Sequence, residues 1–100
     1  MQFELKKHAD IIYKAIKGEF EENNLEILKQ YYFDKNFPAT MPIRNDMNAL
    51  MVAASEGTPE TIKLILEKIL PYINQTDLNG RTALHFACAA GLAANVKALL

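Results

Sequence analysis

Apolar residues recur along this chain at helical spacing inside short windows, and the windows themselves recur. Leu50 and Leu84, Ala53 and Ala87, Gly57 and Gly91, Ile62 and Val96, Ile65 and Leu99, and Leu66 and Leu100 are pairs with a common separation of 34. Each copy has a Leu, an Ala one turn later, a Gly, and then a second apolar stripe, the pattern of two short helices joined by a turn. A more distant third copy lies at the front of the chain. There Gly18 matches Gly57, and Ile11, Tyr13 and Ala15 take the places of Leu50, Val52 and Ala54. Leu25, Ile27 and Leu28 then take those of Ile62, Leu64 and Ile65 once the turn Glu19 to Asn24 is lengthened by two residues.

Local chemistry sets the predicted boundaries. Asn48 and Thr82 precede the first helices as N-caps, each with a side-chain oxygen able to accept a first-turn N–H. Gly57 and Gly91 follow these helices as residues free to take positive φ. Thr58-Pro59-Glu60 opens the next helix with a cap, a proline at the first position and an acid near the positive end of the dipole. That helix is predicted to reach about Leu70, where Pro71 stops it. The segments around Asn45-Asp46 and Asn79-Gly80 are polar and turn-rich without the alternation of a sheet strand, so they are expected to be short hairpin-like fingers.

The run Asp77-Leu78-Asn79-Gly80-Arg81-Thr82-Ala83-Leu84-His85-Phe86-Ala87-Cys88-Ala89-Ala90-Gly91 resembles the ankyrin-repeat pattern D-x-x-G-x-T-P-L-H-x-A-A-x-x-G, with Ala83 for Pro and Cys88 for the second Ala. Asp46-Met47-Asn48-Ala49-Leu50-Met51-Val52-Ala53-Ala54-Ser55-Glu56-Gly57 is similar to it, with Asp46 for Gly, Asn48 for Thr and Met51 for His. The resemblance implies an all-α solenoid of helix-turn-helix units with fingers, divided into a divergent capping repeat and loop over 1–42, a repeat over 43–76, and a repeat over 77–100 truncated in its second helix. Leu50, Val52, Ala53, Ile62, Ile65 and Leu66 are expected to stack on Leu84, Phe86, Ala87, Val96, Leu99 and Leu100 in one continuous core. The apolar pattern stops at Leu100 without a cap, and further repeats or another domain are expected to follow.

The resemblance also implies a protein-protein interaction module with no catalysis of its own. Its partner surface would use Arg44, Asn45, Asp46 and Met47 on one finger, Leu78, Asn79 and Arg81 on the next, and Ser55, Glu56, Ala89 and Ala90 at the helix ends. The alternative is a substrate-recruiting region of a larger enzyme or effector.

Composition narrows the field further. The chain has 100 residues, half of them apolar, 11 Lys+Arg against 12 Asp+Glu, and a net charge of −1. Such a balance fits a folded protein and supplies no basic field for nucleic acid or an anionic membrane. No apolar run approaches the ~20 residues of a bilayer span, and Met1 to Asp10 lacks the pattern of a signal peptide. One cysteine makes no internal disulfide, so a reducing, cytoplasmic setting is expected, with the chain a monomer or part of a longer chain or assembly.

Candidate chemistry is sparse. His85 and Cys88 lie one turn apart on one helix face, so a nucleophile pair or half a zinc site competes with a structural reading. Under the resemblance His85 bonds back near Thr82, and Cys88 takes a small inward-facing position. Neither a metal nor a cofactor is expected, and no glycine-rich phosphate loop is present. Glu19, Glu21, Glu22 and Glu26 form either an acidic patch or a solvated face. Tyr31, Tyr32, Phe33 and Phe37 either cover the end of the core or form an aromatic binding patch.

Overall fold

The computed structural model describes residues 2–20 and 22–100, without side chains for residues 2–5. Glu21, one of the four acids noted above, lies outside the described residues. Among the described residues six α-helices follow one another: α1 (Gln2–Lys17), α2 (Asn24–Lys29), α3 (Ala49–Glu56), α4 (Pro59–Ile69), α5 (Ala83–Ala90) and α6 (Ala93–Leu99). They form two rows. α1, α3 and α5 pack side by side, α2, α4 and α6 pack behind them, and each helix also packs on its hairpin partner. Among the described residues the extended structure is confined to one isolated antiparallel bridge, Arg44 with Met47.

The caps form where the side chains demand them. Asn48 accepts from the Met51 N–H at 2.9 Å, and Thr58 does the same for Thr61 with Pro59 in the first turn behind it. Pro71 ends α4 by tightening the chain into a 3₁₀ turn over Leu70–Tyr72. α2 continues into a π-helical turn over Gln30–Asp34. The extra residue per turn brings the consecutive Tyr31 and Tyr32 both into the core, where each meets Phe37 edge-on. Phe33 remains on the outside with the Lys68 ammonium over its ring. Three of the four clustered aromatics therefore fill the core of the first unit.

Two expectations need correction. Gly91 does take the left-handed conformation (φ 72°), giving a C-cap in which the Leu92 N–H reaches back to Ala87 O and the Gly91 N–H to Cys88 O. Gly57 does not: its φ is −104°, and it is needed for space, since a Cβ there would stand 2.8 Å from Ala53 O. The end of α3 is completed from the neighbouring unit instead. Asn95 of α6, 2% exposed, points its amide at the carbonyls of Ala53, Ala54 and Gly57 at 3.4, 3.2 and 3.1 Å.

The second correction concerns stacking. α3 is the sandwiched helix, with Ala49 to Ala54 all buried, and α5 meets it through Ala83 and Ala87. Leu84 and Leu100 were expected at this interface, yet they are 37% and 87% exposed. Leu84 lies on the side of α5 that is not turned toward α3, and Leu100 lies past the last residue of α6. The helical period explains Leu84: one position from Ala83, it is turned through about 100° from the side that meets α3.

Candidate functional site

The two fingers and the adjoining helix ends carry the exposed polar groups expected to bind a partner. In the first finger Asn45 and Asp46 both have positive φ (48° and 63°), and the Met47 N–H returns to Arg44 O at 2.8 Å, making a tight two-residue hairpin. Arg44, Asn45 and Asp46 are exposed, while Met47 is only half-exposed and packs on the core. The Arg44 guanidinium lies over the ring of Tyr13 from α1 at 4.7 Å. The Tyr13 hydroxyl donates to Glu56 Oε1 at 3.2 Å, and the Lys17 ammonium approaches the same ring at 5.1 Å.

The second finger is organised around one carboxylate. Asp77 Oδ1 accepts from the backbone N–H groups of Asn79 and Arg81, both at 2.9 Å, while Nε and Nη2 of Arg81 reach Oδ2 at 2.9 and 2.8 Å. These bonds, led by the one from the Arg81 backbone N–H, hold the Asp77 carboxyl below its ordinary range. The Arg81 guanidinium also covers the ring of Phe86. Arg81 is therefore already engaged inside its own finger, and Leu78 is 84% exposed there.

At the helix ends, Ala89 and Ala90 are exposed, whereas the Ser55 hydroxyl turns back to the carbonyls of Met51 and Val52. Gln75 ties the two finger bases together, accepting from Asn48 Nδ2 at 3.0 Å and donating to Thr40 O at 3.4 Å. Sequence reasoning missed Tyr13, Asp77, Gln75 and Asn95 as organisers. Detectable signals existed for Asp77, which opens the quoted D-x-x-G pattern, and for Asn95, a polar residue on the stripe that Leu99 shares.

His85 Nδ1 accepts from the Thr82 N–H at 2.9 Å, while the Thr82 hydroxyl accepts from the His85 N–H at 3.4 Å. The ring proton then sits on Nε2, so metal ligation through that atom would demand the tautomer that breaks the Thr82 bond. Cys88 is exposed and not inward-facing as expected, because it lies on the open side of α5 with Leu84. Among the described residues no three His, Cys, Asp or Glu side chains converge as a metal site. Of the described acids in the front cluster, Glu19 pairs with Lys17 at 3.0 Å, Glu26 with Lys29 at 3.6 Å, and Glu22 is exposed.

The paired rows of helices and the fingers repeat in register, with the Thr82–His85 corner in the last unit. The family model for ankyrin repeats (3 copies) matches residues 12–100. The chain belongs to the ankyrin-repeat family. No curated protein and no solved structure matches it. Ankyrin repeats are generally protein-interaction modules and typically non-catalytic. In this ankyrin chain the match begins inside α1. No described helix is long and apolar enough to cross a membrane.

Proposed function

We propose that this chain is a protein-protein interaction module without catalysis of its own, and that it engages its partner through the finger tips and the adjoining ends of the inner helices. The observation carrying this reading is the contrast between tip backbone and tip side chains. The backbone of each finger is fixed by internal hydrogen bonds, while Arg44, Asn45, Leu78 and Asn79 project into solvent. Ordering is thereby completed before binding, which lowers its entropic cost. An apolar side chain as open as Leu78 does nothing for the fold at that tip and suits a hydrophobic contact with a partner.

The test is site-specific photo-crosslinking in extract of the source cells. A benzophenone amino acid replaces Asn79 at the finger tip in one protein and Lys63 on the exposed side of α4 in another. A protein adduct formed at 79, absent at 63 and competed by unlabelled chain is the expected result. Adducts at 63 alone, or at neither position, would overturn the reading.

A further inference from the structure

The N-cap residues Asn48 and Thr82 align the two fingers, so that Ile43 stands where Asp77 stands in the next unit and Met47 where Arg81 stands. The exchange has an electrostatic consequence. The second finger carries an arginine neutralised by its own aspartate at 2.8 Å. In the first finger that carboxylate is replaced by a side chain only 6% exposed and apolar, and Arg44 makes no ion pair among the described residues.

Arg44 is nevertheless held in place. Its guanidinium rests on Tyr13, whose ring is fixed through its hydroxyl to Glu56. A stacked guanidinium keeps its planar edge free for a carboxylate and loses little freedom when it binds one.

Beside it an open groove of about 360 Å³ runs between α1 and the first finger. Ala9, Met41 and Ile43 give it an apolar floor, and Lys6 and Arg44 stand along it with Asp46 as its one carboxylate among the described residues. Lys6 is also without an ion pair among the described residues. Elsewhere on α1 the exposed positions carry Lys7, Lys14 and Lys17 against Asp10, and Lys17 is the one of these engaged with Glu19.

We propose that this groove docks an extended acidic segment of a protein partner, with an apolar side chain seated on Ala9, Met41 and Ile43 and an adjacent carboxylate paired with Arg44. The inference rests on the reading of the chain as a protein-interaction module and deepens it by assigning the chemistry of the partner. Lys6 adds a second positive charge along the bound segment, and Asp46 disfavours a second carboxylate at the hairpin tip.

The experiment uses fluorescein-labelled peptides with the whole chain. One alternates Glu with Leu, a second has Gln for Glu, a third has Ser for Leu, and a fourth has Lys for Glu. Binding is followed by anisotropy and located by amide chemical-shift mapping. The Glu/Leu peptide is expected to bind best, to shift amides of α1 near Lys6 and of Met41 to Asp46, and to weaken with added salt. Arg44→Ala should reduce its affinity roughly tenfold to a hundredfold, the range for losing a charge-assisted hydrogen-bonded pair. Lys6→Ala should reduce it less, and Lys63→Ala, on the exposed side of α4, should leave it unchanged.

Arg44 is exposed, so a circular dichroism spectrum unchanged in Arg44→Ala checks that the fold is intact. Equal binding of the Glu and Gln peptides, unchanged affinity in Arg44→Ala, or shifts located elsewhere would overturn the proposal. An adduct at position 79 in the crosslinking experiment together with any of these results would sink the groove and leave the interaction module standing.

Discussion

Asn95 joins two repeats through three carbonyl oxygens, and its removal is the sharpest test of how this array holds together. The last carbonyls of a helix lack partners within it. At the end of α3 the Gly57 N–H takes Ala53 O, and the carbonyls of Ala54 and Gly57 are met by the Asn95 amide at 3.2 and 3.1 Å. Asn95→Ala removes both amide protons from a site that is 2% exposed. Two lost bonds at about 1 kcal/mol each, together with partly orphaned buried carbonyls, give an expected loss of about 2–3 kcal/mol. In a domain of this size that is a fall in Tm of roughly 10–20 °C.

Asn95→Asp supplies the diagnostic companion. Its shape is conserved, but an ionised carboxylate would face three carbonyl oxygens, so its folded-state pKa must rise above the unfolded value of about 3.9. An acid whose pKa rises on folding stabilises below its unfolded pKa and loses that contribution as pH climbs through the folded value. Measured by urea denaturation relative to the unsubstituted chain, this variant should be least destabilised near pH 4 and worst at neutral pH. A loss under about 0.5 kcal/mol in Asn95→Ala, within the scatter of ordinary surface substitutions, would refute the reasoning. So would a pH-independent deficit in Asn95→Asp.

Asp77, with its carboxyl held low mainly by the Arg81 backbone N–H, gives the opposite pH sign: its contribution is present above about pH 4 and is lost as pH falls through the lower folded value. NMR titration should show the Asn79 and Arg81 amides moving together in acid, and Asp77→Asn should abolish that transition. Tyr32 is 2% exposed with no hydrogen-bond partner for its hydroxyl among the described residues, and burial pushes its ionisation well above the ordinary value. Tyr32→Phe removes a desolvated polar group without leaving a cavity and should be neutral or stabilising by about 1 kcal/mol in thermal denaturation. Gly57→Ala forces a Cβ to within 2.8 Å of a backbone oxygen, whereas Gly80→Ala meets nothing within 4 Å and bears only the strain of φ 77°. Denaturant midpoints should therefore fall further for Gly57→Ala, with Gly80→Ala costing about 1–2 kcal/mol.

Much of the fold could be read from the chain because the signals are local or periodic. Asn48, Thr58 and Thr82 cap because a side-chain oxygen reaches an N–H within its own turn, and Pro71 ends α4 through its own ring. The 34-residue recurrence sets Leu50 and Leu84 in equivalent places. It does not determine their burial, since Leu50 is 1% exposed and Leu84 37%, according to whether another helix lies against that side. The same limit misled the reading of Cys88. Within the candidate surface, Arg44 and Arg81 looked alike as finger arginines. The carboxylate of Asp77 closes on one and a tyrosine from a distant helix supports the other.

By itself the sequence determined the helix-turn-helix units, their caps, the fingers and the family, because those follow from spacing and from hydrogen bonds within a few residues. Only the tertiary structure decided that Gly57 is required for room, that Asn95 completes a helix in the preceding repeat, and that Arg44 stands beside an apolar-floored groove without an ion pair among the described residues. Each of these depends on atoms brought together from remote positions in the chain, where packing distance and the availability of a partner charge set the energy.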